Sequence, residues 1–179
     1  MRKLRNEELN RPDLERYRST QKLPIVVVLD NIRSLHNVGS VFRTSDAFLV
    51  EEIYLCGITA KPPHKEIRKT ALGATEAVKW TYAEDTAEVL EALKKNAYDV
   101  YAVEQTEGST ALSDFEPSPK GIALVFGHEV KGVQQSVVDL CDGALEIPQY
   151  GTKHSLNVSV SSGIVLWEVF KKMSALKGV

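Results

Sequence analysis

The chain is 179 residues long, 43% apolar and 26% charged, with a formal net charge of −2. That is the size and balance of one globular domain able to bury a core. Its longest aliphatic run, Ile25 to Leu29, falls far short of the ~20 apolar residues that span a bilayer, which excludes a membrane-spanning helix, and no membrane partner is expected.

Residues 1–23 read as a basic N-terminal helical extension, helical over 5–20, and residues 24–179 as the main domain. The start turns acidic at Glu7 and Glu8 before any apolar stretch forms, so no secretory signal is expected and the cytoplasm is the expected location. Pro24 then opens Ile25–Asp30, an apolar, β-branched run of the kind found in buried parallel strands. Asn37 stands where an N-cap belongs, before a helix whose apolar positions begin at Val38. Glu52–Cys56 is a second strand, and Lys61-Pro62-Pro63-His64 a loop. Lys65–Leu72 is a helix closed by Gly73, and Val78–Tyr82 a strand. Asp85–Lys95 is a helix, Asp99–Glu104 a strand and Glu116–Lys120 a proline-bearing loop. Ile122–Phe126 is a buried strand, Val133–Leu140 a helix and Ala144–Ile147 a short strand. The longest helix runs from about His154 to Lys172. Alternating strands and helices predict an α/β fold, a parallel sheet with helices on both faces.

Charge is unevenly spread. Residues 1–22 carry seven basic against four acidic side chains, and residues 61–69 four against one, so the remainder is acidic. Two basic patches on an acidic body can hold a polyanion, or can be ordinary solvated faces. Cys56 and Cys141 are expected as two buried thiols rather than a disulfide. His36, His64, His128 and His154 fall in no metal-ligand spacing with a cysteine, so no zinc site is expected.

In open α/β sheets ligands bind beyond the carboxyl ends of the strands. Three polar clusters stand at such points. Asn31 to Thr44 joins a strand to a helix N-terminus, where free N–H groups attract anions, with Arg43 one to two turns in. Val125 to Val133 has Gly127 and Gly132 flanking Glu129. It is neither a phosphate loop nor a dinucleotide fingerprint, since Gly-Lys-Ser/Thr and Gly-x-Gly-x-x-Gly are both absent. Ile147 to Ile164 is a polar loop feeding a helix rich in Ser and Asn, which are poor helix-interior residues. Each has an ordinary alternative: a capped helix with an exposed arginine, a turn with a carboxylate near a helix dipole, a Ser-rich helix start.

Together, from about Ile25 to Trp167, these segments resemble the SPOUT superfamily, and more closely its SpoU, or TrmH-like, branch of RNA 2′-O-ribose methyltransferases. The first motif is carried by Asn37, Gly39, Arg43 and Thr44; the second by Phe126, Gly127 and Glu129; the third by Ile147, Pro148, Ser155-Leu156-Asn157-Val158-Ser159 and Gly163. Lys69–Ala74 is similar to the family's linking region. The chain departs from the pattern at His128, where Asn is common, and at Val130, where Gly or Arg is.

The resemblance implies a SPOUT fold with a deep C-terminal trefoil knot, formed from about Ile122 to the last helix. It implies S-adenosylmethionine as cofactor, held by Phe126, Gly127, Ile147, Pro148, Ser155 and Leu156, with Glu104 and Gln105 at the preceding strand end. It implies a catalytic group of Arg43, Asn37, Glu129, Ser155 and Asn157. A guanidinium stays protonated above pH ~12, so Arg43 is read as a fork that holds phosphate and stabilises charge on the 2′-oxygen rather than as a base. Asn37 would orient Arg43 or the ribose, and Glu129 would position Arg43 or help accept the proton. Arg11, Arg16, Arg18, Lys65, Arg68, Lys153 and His154 are the expected RNA contacts. The small size resembles the transfer-RNA enzymes of the family, with a D-loop guanosine as first substrate and an anticodon-loop nucleotide or ribosomal RNA next. A homodimer is expected as well: Leu156, Val160, Ile164 and Trp167 make one apolar stripe of the last helix, and Val158, Val165, Val169 and Phe170 a second. The rival readings are a non-catalytic RNA-binding module on the same fold and a generic nucleotide-binding enzyme.

Overall fold

A computed structural model describes residues 1–178. Seven strands form one sheet in the order β3-β2-β1-β6-β4-β7-β5, every pair parallel. The strands are β1 (Leu23–Asp30), β2 (Val50–Cys56), β3 (Lys79–Ala83), β4 (Asp99–Val103), β5 (Thr110–Ala111), β6 (Ile122–Phe126) and β7 (Gly143–Glu146). The helices are α1 (Leu14–Ser19), α2 (Leu35–Ala47), α3 (Lys65–Ala71), α4 (Ala74–Ala77), α5 (Thr86–Lys95), α6 (Gln135–Val138) and α7 (Val158–Lys177). No described helix is long and apolar enough to cross a membrane.

The unbroken apolar run of β1 has a two-sided explanation. Ile25, Val27 and Leu29 enter one core with α2, α3 and α7, while Val26 and Val28 enter the other with α5 and α6. A strand buried on both faces has no polar side to alternate with. Edge strand β3, by contrast, is mostly solvent-facing.

Several element boundaries differ from the sequence reading. The N-terminal stretch is not one helix: a 3-10 turn at Asn6–Leu9 is separated from α1 by Asn10, at φ 48°, and by Pro12. Helix α2 starts earlier than read, because Ser34 and not Asn37 is its cap, accepting the Asn37 N–H at 3.3 Å. Helix α6 is a single turn. Helix α7 starts at Val158, capped by Asn157, and leaves 147–156 as an irregular loop. The two-residue β5 and the four-residue α4 are too short for periodicity to mark. Cys56 is buried, Cys141 half-buried, and both are free thiols.

Because every strand is parallel, all carboxyl ends share one edge. After β4 the chain goes out to β5, returns to the middle as β6, and goes out again to slot between β4 and β5 as β7. These crossings bring the loops after β4, β6 and β7 together.

Candidate active site

The loop after β6 is built by close backbone approach. A Cβ on Gly127 would lie 2.2 Å from the Gly132 carbonyl carbon and the Val133 nitrogen, so only glycine fits. Gly132 has φ +68°, and a Cβ there would meet a Glu104 carboxylate oxygen at 2.1 Å. The Gly132 N–H donates to the His128 carbonyl at 2.8 Å, and His128 Nδ1 accepts the Val130 and Lys131 N–H groups at 3.0 and 3.3 Å. The ring that replaces the more common Asn therefore organises the turn.

Glu104, just beyond β4, accepts the Val133 N–H at 3.0 Å and the Gln105 N–H at 2.9 Å. Gln105 Nε2 donates to the His154 carbonyl at 3.0 Å. The end of β4 thus holds both the loop after β6 and the loop before α7. Between them lies a cavity of about 380 Å³. Glu104, Gln105, Phe126, Gly127, Ile147, Ser155 and Leu156 all line it, as do Glu129 and His154. Pro148, grouped with these by the sequence reading, is exposed and lies outside the lining; its neighbour Gln149 lines instead. The sequence reading missed Lys131, Glu146 and Ser161, which also line the cavity. Glu146 ends β7, a position that the carboxyl-end rule could have singled out.

Glu129 connects the cavity to the first motif. Its carboxylate accepts the Arg33 N–H at 3.1 Å, the Ser34 N–H at 2.9 Å and Asn37 Nδ2 at 3.1 Å. Partial burial pushes its pKa up, but these hydrogen bonds outweigh burial and hold it below the usual carboxylate value. A saturated, firmly ionised carboxylate is suited to fixing the β1–α2 loop rather than to taking a proton. Asn37 accordingly turns its amide to Glu129, not to a helix end.

Arg43 lies on α2, about 9 Å along the axis from Asn37. It is exposed, is outside the lining of the cavity, and makes no hydrogen bond or ion pair among the described residues. Asn157 also lies outside the lining; its Oδ1 accepts the Ser159 N–H and hydroxyl at 2.9 and 2.6 Å. Of the expected RNA contacts, Arg11, Arg16, Lys65, Arg68 and Lys153 are exposed. Arg68 is 3.8 Å from Glu76. Arg18 donates twice to the Glu76 carbonyl, at 3.1 and 2.6 Å, and so ties α1 to α4.

Residues 24–167 match the family model described as the SpoU rRNA Methylase family. The chain belongs to the SpoU family. Among curated relatives of this SpoU chain, 23S rRNA (guanosine-2′-O-)-methyltransferase RlmB of Pasteurella multocida is 31% identical over 94% of this chain and 69% of its own. A TrmH family tRNA/rRNA methyltransferase of Staphylococcus aureus is 30% identical over 89% of this chain and 63% of its own, so the SpoU chain spans less than two thirds of that relative. The A. aeolicus TrmH/SpoU tRNA modifying enzyme superposes with TM-score 0.81 at 27% identity, covering 92% of this chain and 84% of that one. An AdoMet-bound rRNA methyltransferase from Sinorhizobium meliloti gives TM-score 0.77 at 28% identity over 87% and 59%. The parallel sheet with helices on both faces is thus the fold of SPOUT methyltransferases.

A sulfonium nucleoside suits the cavity on its chemistry. The volume is within the ordinary small-molecule range. Val133, Leu145, Ile147 and Leu156 offer apolar walls for a base, and Glu104 and Glu146 place carboxylates in the same lining.

Proposed function

We propose that the chain is an S-adenosylmethionine-dependent RNA 2′-O-ribose methyltransferase. The observation that carries this reading is the convergence of Gly127, Ile147 and Leu156, from three separate segments, on one cavity. Bound there, S-adenosylmethionine supplies an electrophilic methyl group on its sulfonium. The backbone around Gly127, Ile147 and Leu156 would hold it, with Ser155 beside them and Glu104 and Gln105 at the rim.

The protein's own part is alignment and electrostatics. Glu129 fixes the β1–α2 loop and, through Asn37, the first turn of α2. Arg43, two turns on, presents a guanidinium with no partner among the described residues, which would grip the target phosphate and stabilise negative charge developing on the 2′-oxygen. Asn157 and Ser155 would close the ribose end of the site.

Arg43 stands outside the lining of its own chain's cavity, and the α7 stripe is exposed: Val160 is 50% and Trp167 52% accessible. Both observations favour a homodimer in which Arg43 serves the partner's cofactor. In the same reading residues 122–177 form a trefoil knot, residues 1–23 act as a basic arm, and the protein works in the cytoplasm. Transfer RNA is the first-choice substrate, a D-loop guanosine ahead of an anticodon-loop nucleotide. The exposed basic side chains of α1 and α3 support a polyanionic partner.

The test is to map 2′-O-methyl positions in total RNA with and without this protein. Loss of one transfer-RNA position supports the proposal in full, and loss of a ribosomal position redirects the substrate. An unchanged map together with no cofactor binding by calorimetry would leave an RNA-binding module.

A further inference from the structure

We infer that Tyr150 is a stacking platform for an unpaired RNA base at the mouth of the cavity; this rests on the RNA methyltransferase reading above. Tyr150 is 97% exposed. The next most exposed aromatics among the described residues are already engaged. Trp167, 52% exposed, packs on Phe48 and Phe170 at centroid distances of 5.6 and 6.0 Å. Tyr82, 38% exposed, donates its hydroxyl to the Gly57 carbonyl and carries Lys61 Nζ 3.7 Å from its ring centroid. Tyr150 has neither a hydrogen bond nor a ring partner among the described residues.

Isolated exposed apolar side chains are common and by themselves mean little. This one is distinguished by its position. Tyr150 stands outside the lining itself, but it follows Gln149 and precedes His154 and Ser155, all three lining the cavity, on a loop held to the end of β4 through the Gln105–His154 bond. Residues 147–157 contain no acidic side chain and carry Lys153 and His154. The other loop lining the cavity offers Lys131 and the 86%-exposed Val130. An open aromatic face, an exposed apolar side chain and cationic groups on the two loops that line the cavity match what a single-stranded nucleotide offers, a π-face and a phosphate. Two scattered apolar side chains are too little surface for a protein partner.

The platform orders the nucleotide next to the reacting ribose without touching the methyl group, so its loss weakens RNA binding and spares cofactor binding. Stacking also differs from charge contact in salt dependence: neutral contacts leave the slope of log affinity against log salt unchanged, and phosphate contacts steepen it.

The experiment measures anisotropy of labelled, unmodified transfer-RNA transcripts and ribosomal stem-loops across a salt series. The proteins are wild type, Tyr150→Ala, Tyr150→Leu, Tyr150→Trp and Lys153→Ala. We expect affinity about tenfold weaker for the Ala and Leu variants, within the range of one stacked base, with an unchanged salt slope. Tyr150→Trp retains binding, and Lys153→Ala shows a shallower slope. Wild-type affinity in Tyr150→Ala or in Tyr150→Leu overturns the platform. So does loss of cofactor binding or of the oligomeric state in Tyr150→Ala, which would assign the ring to the fold or to a second copy. Failure of the wild type to bind any of these RNAs would instead remove the RNA reading itself.

Discussion

At the scale of single residues, the site divides into side chains already committed to the fold and side chains held ready. Glu129, Glu104, Gln105 and Asn157 spend their polar atoms on backbone and neighbours. Arg43 spends none among the described residues, although a guanidinium has five donors to satisfy. Arg43→Ala should lower methyl transfer to unmodified transfer RNA by at least about a hundredfold, the usual effect of removing one transition-state donor. Calorimetry with S-adenosylmethionine should be unchanged. Turnover within a fewfold of wild type would remove Arg43 from the chemistry. Glu129 makes a separate prediction. Its folded pKa lies below the ordinary glutamate value, so its contribution to stability is complete above that ordinary value and is lost as pH falls through the folded pKa. Glu129→Gln should therefore be less stable than wild type at pH 7, by about 1–2 kcal/mol in urea unfolding, and the gap should close toward pH 3. A gap constant from pH 7 to pH 3 would mean that the ionised carboxylate is not what holds the loop. The thiols have no such role: burial pushes Cys56 up to about 12 and Cys141 up to about 11, leaving both protonated at neutral pH.

At the scale of elements, α7 and α2 decide the most. In α7, Val158, Val165, Val169 and Met173 are buried in the core while Val160, Ile164 and Trp167 face outward, so two apolar stripes have one internal partner between them. Helices α2 and α3 touch through Gly39, where a Cβ would lie 2.4 Å from the Ile67 carbonyl oxygen. The glycine of the first motif is thus required for packing before any role at a ligand is considered. Covering the outward stripe is the element-scale prediction. Val160→Glu with Ile164→Glu should convert a dimer to a monomer in sedimentation at micromolar concentration, with the far-ultraviolet circular dichroism retained and methyl transfer lost. A double variant that stays dimeric and active would place the interface elsewhere.

At the scale of the whole molecule, the site exists only because distant segments meet. Its Glu129–Ser34 contact is separated by 95 residues and its Gln105–His154 contact by 49. A ligand seated across such contacts binds the folded chain and not the unfolded one, and stabilises it accordingly. At a hundred times its Kd, S-adenosylmethionine should add about 2.7 kcal/mol, a rise in Tm of roughly 5–10 °C for a chain of this length. Gly127→Ala, which drives a methyl group into the Gly132–Val133 backbone, should abolish that rise. An equal rise in both proteins would locate the cofactor outside this cavity.

What the amino-acid sequence determined alone is what local physics fixes: the buried strands at Ile25–Leu29 and Ile122–Phe126, the alternation that makes a parallel sheet, and the glycines and polar clusters at strand ends. Those patterns are written within a few residues, where side-chain period and backbone freedom act directly. The family resemblance extended that to the residues of the cavity, because its motifs already encode a tertiary arrangement. Only the tertiary structure decided that Ser34 and not Asn37 caps α2, that Glu129 is saturated by donors some ninety residues away, and that Pro148 stands off the cavity while Glu146 and Lys131 line it. Those outcomes depend on which strand slots beside which, a choice made by burial summed over the whole sheet and visible in no single window of sequence.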